Sequence, residues 1–417
     1  MSCLAILLMT LLILCVALFL LLRNYVGSET ASLNAYKLVE PARGAPLEIR
    51  DFQSLSPERQ IIWRHWAEQF ENLRVSGISQ EDMDQLSEKL NTLGVLRVKI
   101  IKGKIYHKFY SQNTSASRRV RFFLTFLSKV VSQYPIPDVD FLVFIMGEGI
   151  DKFSRLYPHM PLFAYDLDPT NPTQCKNNIL IPDVNVLAKG PALLRKIKAA
   201  HGRYPWERKQ EKMMWRGSTT GEGPRFALVE MAKQFPQKID AYFIFQYNKM
   251  PRDLKTLNLF FKGMFGIGES RRVPEAEHLA SKYLVSMDGN VSAWLRPVWI
   301  MASNSVLLFQ YQWEQWFYKA LVPEKHYVPL KPDLSDLLEK HDWLKSHDEE
   351  ARAIVKNAND FVEAVFQPAF LAEDMAFVLT AYASLQRFTP VAPAPEEISA
   401  SFVDGLFSKI NRWVPLV

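Results

Sequence analysis

Hydrophobic positions change period several times along the chain, and each change predicts an element. Residues Cys3 to Leu22 are almost wholly apolar, with Thr10 the clear exception, and Arg23 and Asn24 end the run. Its length matches the roughly 20 residues a helix needs to cross hydrocarbon. It exceeds the apolar core of a cleaved signal peptide, about 7–15 residues, so an uncleaved anchor over residues 1–24 is expected. Residues 25–55 are polar, with Ala and Pro and no clear period, as in a stem. From Pro57 a helical period sets Ile61, Ile62, Trp66 and Phe70 on one face, and a second helix is expected from Ser79 to Leu93. Leu96 to Tyr106 reads as a hairpin, with Gly103 at its turn. Val139 to Met146 is a β-rich run ending in Gly147-Glu148-Gly149, and Leu162–Asp166 and Ile179–Ile181 are shorter strands. Strand and helix then alternate to about residue 310, the pattern of βαβ units and parallel sheets. Late in the chain, Asp333 is placed to cap a helix over Leu334–Leu344. Ser346 to Glu349 has the form of a capping box ahead of Ala351, Ile354, Val355, Ala358, Phe361 and Val362. A last helix is expected near Asp374–Leu385.

Composition adds bounds to this α/β pattern. The 417 residues, 48% of them hydrophobic, exceed one ordinary core and are enough for two α/β domains. A net charge of +6 suits anionic partners such as nucleotide phosphates, and no block of like charges forms a nucleic-acid tail. Of three cysteines, Cys3 and Cys15 fall in the apolar run, leaving Cys175 alone in the remainder. An intrachain disulfide there and a thiolate metal cluster are thereby excluded. No Lys or Arg precedes the apolar run, whereas Arg23, Lys37, Arg43 and Arg50 follow it, a bias that would place the body of the chain in the cytoplasm.

Three segments carry candidate chemistry. Met213 to Arg225 reads as a strand, a loop of small residues and a helix opened by Pro224. Such a loop lets backbone N–H groups approach an anion at a helix N-terminus. Ser218, Thr219 and Thr220 add hydroxyls, and Arg216 and Arg225 add charge for a diphosphate. Lys282 to Arg296 again runs from a strand into a turn, Asp288-Gly-Asn, and then a helix. Asp288 or Ser292 is placed for ribose or phosphate there, and Arg296 for the same diphosphate. Gln312 to Lys331 sets aromatics beside a carboxylate, which suits either a base and ribose pocket or an aromatic core. Asp166-Leu-Asp168 is a pair of carboxylates one residue apart, the arrangement that holds a divalent metal on a donor diphosphate in metal-dependent sugar transferases of the GT-A type.

Six segments occur in order: Trp-Arg-Gly-Ser, Lys-Tyr-Leu-Val-Ser-Met-Asp-Gly-Asn, Ser-Val-Leu-Leu-Phe-Gln, Trp-Phe-Tyr-Lys-Ala-Leu-Val-Pro, His-Tyr-Val-Pro-Leu and Asp-Leu-Ser-Asp-Leu. Together they resemble glycosyltransferase family 90, which includes fungal capsule-associated xylosyltransferases and animal protein O-glucosyltransferases, with the fungal branch closer. The resemblance covers about residues 95–390. It implies a GT-B arrangement, two Rossmann-like domains facing a cleft: an acceptor-side domain over 95–208 and a nucleotide-sugar-binding domain over 209–390, followed by a tail over 391–417.

The resemblance also implies an inverting transfer of xylose or glucose from UDP-xylose or UDP-glucose to a glycan or protein hydroxyl, with no metal and no further cofactor. Ser218, with Gly217 and Thr219 beside it, matches the nucleotide-contacting serine, and Arg225 stands near the family's following arginine. Val291, Ser292, Ala293, Trp294, Leu295 and Arg296 match the donor turn. Pro182 and Asp183 resemble the sugar-side segment. The family's base is an Asp after the strand that aligns with Val139–Met146. Here that stretch makes Glu148 the first substitute and Asp151 the second, each able to take the acceptor proton. The departure leaves open a catalytically inactive, membrane-anchored nucleotide-sugar-binding protein. The resemblance places the body in an endoplasmic reticulum or Golgi lumen, against the flanking charge. It also implies that the Asn290-Val-Ser sequon in the donor turn stays unmodified.

Overall fold

Two β-sheets organise the chain. In this computed structural model the described residues are 36–41, 47–74, 77–89, 94–109, 114–147, 150, 161–172, 174, 178–221, 223–245 and 272–397. The expected anchor, most of the stem, Glu148, Asp151, Cys175 and the end of the tail lie outside them.

The first sheet is mixed. Strand β1 (Lys37–Val39) precedes helices α1 (Pro57–Arg74) and α2 (Gln80–Lys89). The hairpin β2 (Val95–Ile101) and β3 (Lys104–Phe109) follows, then α3 (Thr114–Gln133), β4 (Val139–Phe144), β5 (Leu162–Ala164) and β6 (Asn178–Leu180). The order is β1-β3-β2-β4-β5-β6, with β1 through β4 antiparallel and β4, β5 and β6 parallel. The hairpin expected over Leu96–Tyr106 is present and makes this half of the sheet antiparallel. The hairpin closes at Lys102 and Gly103, with φ of 50° and 73°, and so tight a turn joins only antiparallel strands. Arg97 in β2 is buried and stays charged by a two-pronged contact with Asp140 of β4, at 2.9 and 2.6 Å.

Helix α4 (Val184–Ala200) leads to the second sheet: β7 (Gln210–Ser218), α5 (Pro224–Gln234), β8 (Ile239–Phe245), β9 (Ser281–Met287), α6 (Arg296–Met301), β10 (Val306–Gln310) and β11 (Val328–Pro329). Every pairing in it is parallel, in the order β11-β10-β9-β7-β8. From β7 the chain moves to one side to form β8, then returns to the other side of β7 for β9, β10 and β11. The direction therefore reverses between β7 and β9. At such a switch point the loops leaving the two carboxyl ends diverge and open a crevice, where α/β sheets bind ligands.

Helices α7 (Leu337–Ser346), α8 (Asp348–Val365) and α9 (Pro368–Ala383) follow β11. Three local expectations are corrected. Ile61 is exposed, and the buried face of α1 is Ile62, Trp63, Trp66, Phe70 and Leu73. Asp333 caps nothing: it accepts the Ser335 N–H in a local turn, and α7 begins at Leu337. Ser346 ends α7, its hydroxyl donating back to the Asp342 and Trp343 carbonyls, so no capping box forms. Helix α9, within the expected second segment, packs back toward the start of the chain. Its Asp374 accepts hydrogen bonds from Arg59 and Trp63 of α1 at 3.1 and 2.6 Å, holding it beside the first sheet.

Candidate functional site

The switch point is stitched by one side chain. Arg225, in the first turn of α5, donates from Nη1 to the Ser218 carbonyl at 3.2 Å, the Ser218 hydroxyl at 3.2 Å and the Thr220 hydroxyl at 2.5 Å. Its Nη2 donates to the Met287 carbonyl and its Nε to the Asp288 carbonyl, both at 3.0 Å. Arg225 thus binds the carboxyl end of β7 to that of β9. The two loops pack so closely that a Cβ on Gly221 would come within 2.8 Å of the Gly289 Cα. Gly221 also has φ of 77°, which favours glycine. Its N–H donates to the Asn290 carboxamide at 2.8 Å, closing the contact.

Arg296 enters the same place from α6. It donates to the Arg216 carbonyl at 2.7 Å, and its other N–H groups have no partner among the described residues. Burial lowers the Arg296 guanidinium to about 10, with only Glu275 opposing. Burial, and then the charge of Arg296, lower Arg225 to about 10. Both remain cations at neutral pH. Among the described residues neither has a carboxylate in salt-bridge contact. Two neighbouring, desolvated, like charges at a loop edge leave a deficit of negative charge.

Other expected donor groups have structural partners. Arg216 was expected to serve a diphosphate. Its guanidinium instead grips both Asp240 oxygens at 2.9 and 2.8 Å and lies 4.9 Å over the Tyr242 ring. Asp288 was placed for ribose or phosphate. Its carboxylate accepts the backbone N–H groups of Ala293, Gln312 and Trp313 at 2.9, 2.9 and 3.0 Å, so it ties the donor turn to the loop after β10. Burial pushes it up to about 7 against those hydrogen bonds. Gly217 makes room for the Trp215 ring, which a Cβ would meet at 2.2 Å. Ser218 and Thr220 share a hydroxyl hydrogen bond of 2.8 Å beside Thr219. Leu295 packs in the core, while Val291 and Ala293 supply the backbone of the turn.

Ser292 was also expected to touch the donor. It is buried, and its N–H and hydroxyl both donate to Asp166 Oδ2, at 3.1 and 2.8 Å. Asp166 follows β5, so this contact links the two sheets' loops. A short backbone bridge from Leu167 to Glu314, at 3.1 and 2.9 Å, lies alongside. Burial pushes Asp166 up to about 7, partly offset by Ser292. Asp168 is turned elsewhere, accepting the Thr170 N–H and hydroxyl at 2.9 and 2.7 Å. Separate protein donors thus occupy the two carboxylates that the metal-dependent alternative would need to converge on one ion.

Trp294, at the tip of the donor turn, has φ of 54°, a conformation that a bulky side chain adopts only when its surroundings enforce it. It projects onto the first sheet's loops. A Cβ on Gly147 would meet its ring at 2.5 Å. Tyr165 meets it edge-on at 5.8 Å, and Arg119 lies 5.4 Å over it while donating to the Ile145 carbonyl. Pro182 is buried, and Asp183 caps α4, accepting the Asn185 and Val186 N–H groups at 2.7 and 3.2 Å. Sequence reading missed Arg119 and Tyr165, and it marked Gly147 only as the end of the β-rich run. Only the docking of Trp294 draws these residues together.

Two α/β sheets joined at their carboxyl edges, with cationic side chains at the switch point of the parallel one, define the class as an α/β protein with a cationic crevice edge. The chain matches the glycosyl transferase family 90 profile over residues 60–404, and it belongs to that family. Human protein O-glucosyltransferase 3 is 33% identical over 206 residues, 47% of this chain and 38% of that protein. Zebrafish (Danio rerio) protein O-glucosyltransferase 2 is 26% identical over 299 residues, 68% of this chain and 54% of that protein. The chain thus spans about a third to a half of the length of these curated relatives. Among solved structures, Anabaena Alr3699/HepE in complex with UDP-glucose aligns at a TM-score of 0.36 and 11% identity, covering 64% of this chain and 76% of that one. That likeness is too slight to bear on function.

Proposed function

We propose that the chain is an inverting transferase of GT-B type that moves glucose or xylose from a UDP-sugar to a hydroxyl of a glycan or protein acceptor. The observation that carries this reading is the pair Arg225 and Arg296, two buried cations without a carboxylate partner at the switch point of a parallel sheet. A diphosphate supplies the missing charge. Among the described residues Arg296 keeps N–H groups without a partner to meet it, and Arg225 holds the Ser218–Gly221 loop against the donor turn. As the bond to the sugar breaks, negative charge grows on the leaving diphosphate, and preformed cations stabilise that charge without reorganising. The second sheet's loops then form the nucleotide side and residues 95–208 the acceptor side, with Pro182 and Asp183 toward the sugar.

In this reading Glu148, or Asp151 in its place, accepts the acceptor hydroxyl proton as the oxygen attacks the anomeric carbon. Neither a metal nor a further cofactor takes part. An anchor over residues 3–22 in an endoplasmic reticulum or Golgi membrane, with a lumenal body, belongs to the same proposal. Among the described residues no single helix is long and apolar enough to cross a membrane.

The test is UDP release by the purified chain from UDP-glucose, UDP-xylose and other UDP-sugars, with and without chelator, beside Arg296→Ala and Glu148→Gln. The expected result is chelator-resistant release from one donor, lost in both variants. Release that requires a divalent metal would overturn the metal-free mechanism. UDP binding with no turnover from any donor, across a panel of free sugar acceptors, would favour a binding protein.

A further inference from the structure

A cavity of about 370 Å³ lies at the opposite edge of the second sheet from Arg225 and Arg296. It is bounded by the segment before β7, the turn between α6 and β10, and one face of α8. The nine residues of β7 separate it from the switch point, roughly 25–30 Å of extended chain. Its volume falls in the range of small-ligand sites. Pro205, Val355 and Trp206 give it an apolar lining. Trp206 is held in place: its indole N–H donates to Asp348 at 2.8 Å, and Lys282 and Arg352 lie 5.0 and 5.4 Å from its ring. Asn304 lines the cavity from the α6–β10 turn, which the buried Lys209 braces by donating to the Ser303 carbonyl and the Ser305 hydroxyl at 3.2 and 2.7 Å. The Asn304 carboxamide makes no hydrogen bond among the described residues. Asn359 spends only its Nδ2, on the Val355 carbonyl at 2.8 Å, which leaves Oδ1 open. The exposed cations beside them are already matched. Arg352 donates to Asp348 and Glu207 at 2.8 and 2.9 Å, and Lys356 donates to Asp360 at 2.6 Å. No excess charge remains there for a phosphate, and among the described residues no group of three His, Cys, Asp or Glu could hold a metal.

We infer that this cavity is a second carbohydrate site, which takes neutral sugar residues of an oligosaccharide away from the point of transfer. A pyranose is apolar on its C–H faces, and each of its hydroxyls both donates and accepts. A carboxamide also donates and accepts, and Asn304 and Asn359 offer theirs beside an apolar lining. An anionic ligand would have to break the Arg352 or Lys356 ion pairs to enter. The inference goes beyond the transferase reading and rests on it only for the source of the sugar chain. A contact distant from the switch point would raise the local concentration of a long acceptor there.

Full-length protein is titrated calorimetrically with cellohexaose, xylohexaose and maltohexaose, and separately with UDP and inorganic phosphate. Asn304 has φ of 54°, so Asn304→Gly keeps the turn, and Asn359→Ala favours its helix. Wild type is expected to bind one hexasaccharide, and each variant to bind it on the order of 3–10-fold more weakly. UDP affinity should stay within about twofold of wild type, because the switch point is distant. Both variants should melt as wild type does; weakening that comes only with a lower melting point would mark a structural role and count against the inference. A second arm measures transfer at saturating donor. A rise in KM for the bound hexasaccharide, with none for the methyl glycoside of the same sugar, supports the inference and assigns the chain to the acceptor. Unchanged KM for both, despite weaker binding, supports the site and overturns its role toward the acceptor. No binding of any hexasaccharide, equal binding by wild type and variants, or competition by inorganic phosphate would each overturn the inference. None of these outcomes touches UDP release from a UDP-sugar, on which the transferase reading stands or falls.

Discussion

Arg225 and Arg296 carry the same charge to the same sheet edge, yet truncating them has opposite expected effects. Arg225 holds five protein oxygens from two strand ends, so Arg225→Ala leaves those acceptors bare. A loss on the order of 2 kcal/mol is expected in urea unfolding. Arg296 makes one such bond and carries a buried charge. Arg296→Ala should therefore leave the unfolding midpoint unchanged or raise it, while UDP affinity drops by about 10-fold or more. Calorimetric titration read beside unfolding checks both, and equal effects of the two substitutions on stability would refute the distinction. The sequence marks both arginines because each follows a strand and a small-residue turn. It also marks Arg216, whose real partner, Asp240, comes from the next strand.

The elements that matter most are turns. Gly147, three residues past β4, leaves just enough room for Trp294, which is held at a positive φ. Gly147→Ala should push that ring away, shifting tryptophan fluorescence and lowering the transfer rate. Gly103, at the hairpin turn, also has a positive φ, but a Cβ there would meet nothing within 4 Å. Gly103→Ala should therefore cost about 1 kcal/mol of stability by backbone strain and leave transfer unchanged. A fluorescence spectrum and rate for Gly147→Ala equal to those of wild type would show that Trp294 has no fixed place. Hydrophobic period located most of these elements, because burial on one face or two leaves its mark in the residue pattern. Helix starts at Asp333 and Ser346 were misread because both polar side chains spend their hydrogen bonds on local turns.

At the scale of the whole molecule, three carboxyls converge where the sheets join. Asp166, Asp183 and Asp288 are pushed up to about 7, 6 and 7, chiefly by burial. In the unfolded chain each returns to about 3.9. Between roughly pH 4 and 7 these groups therefore bind more protons in the folded state than in the unfolded chain, and their contribution to stability falls as pH rises through that window. Burial lowers His107, His278 and His326, which push the other way, so the reading is a difference between variants: the urea midpoint of Asp166→Asn should gain on that of wild type as pH rises from 5 to 8. An Asp166→Asn midpoint that keeps a constant offset from wild type across that range would rule this out.

The amino-acid order alone determined the α/β class, the strand–turn–helix units that present Arg225 and Arg296, and the family. Each is a local pattern of period, turn residues and short motifs. Only the tertiary structure decided that the first sheet is mixed and that the second reverses direction between β7 and β9. It also decided that α9 returns to the first sheet, where Asp374 meets Arg59. Asp166 and Ser292 are 126 positions apart. Their hydrogen bond depends on how two sheets dock, and docking buries surfaces that carry no periodic signature along the chain.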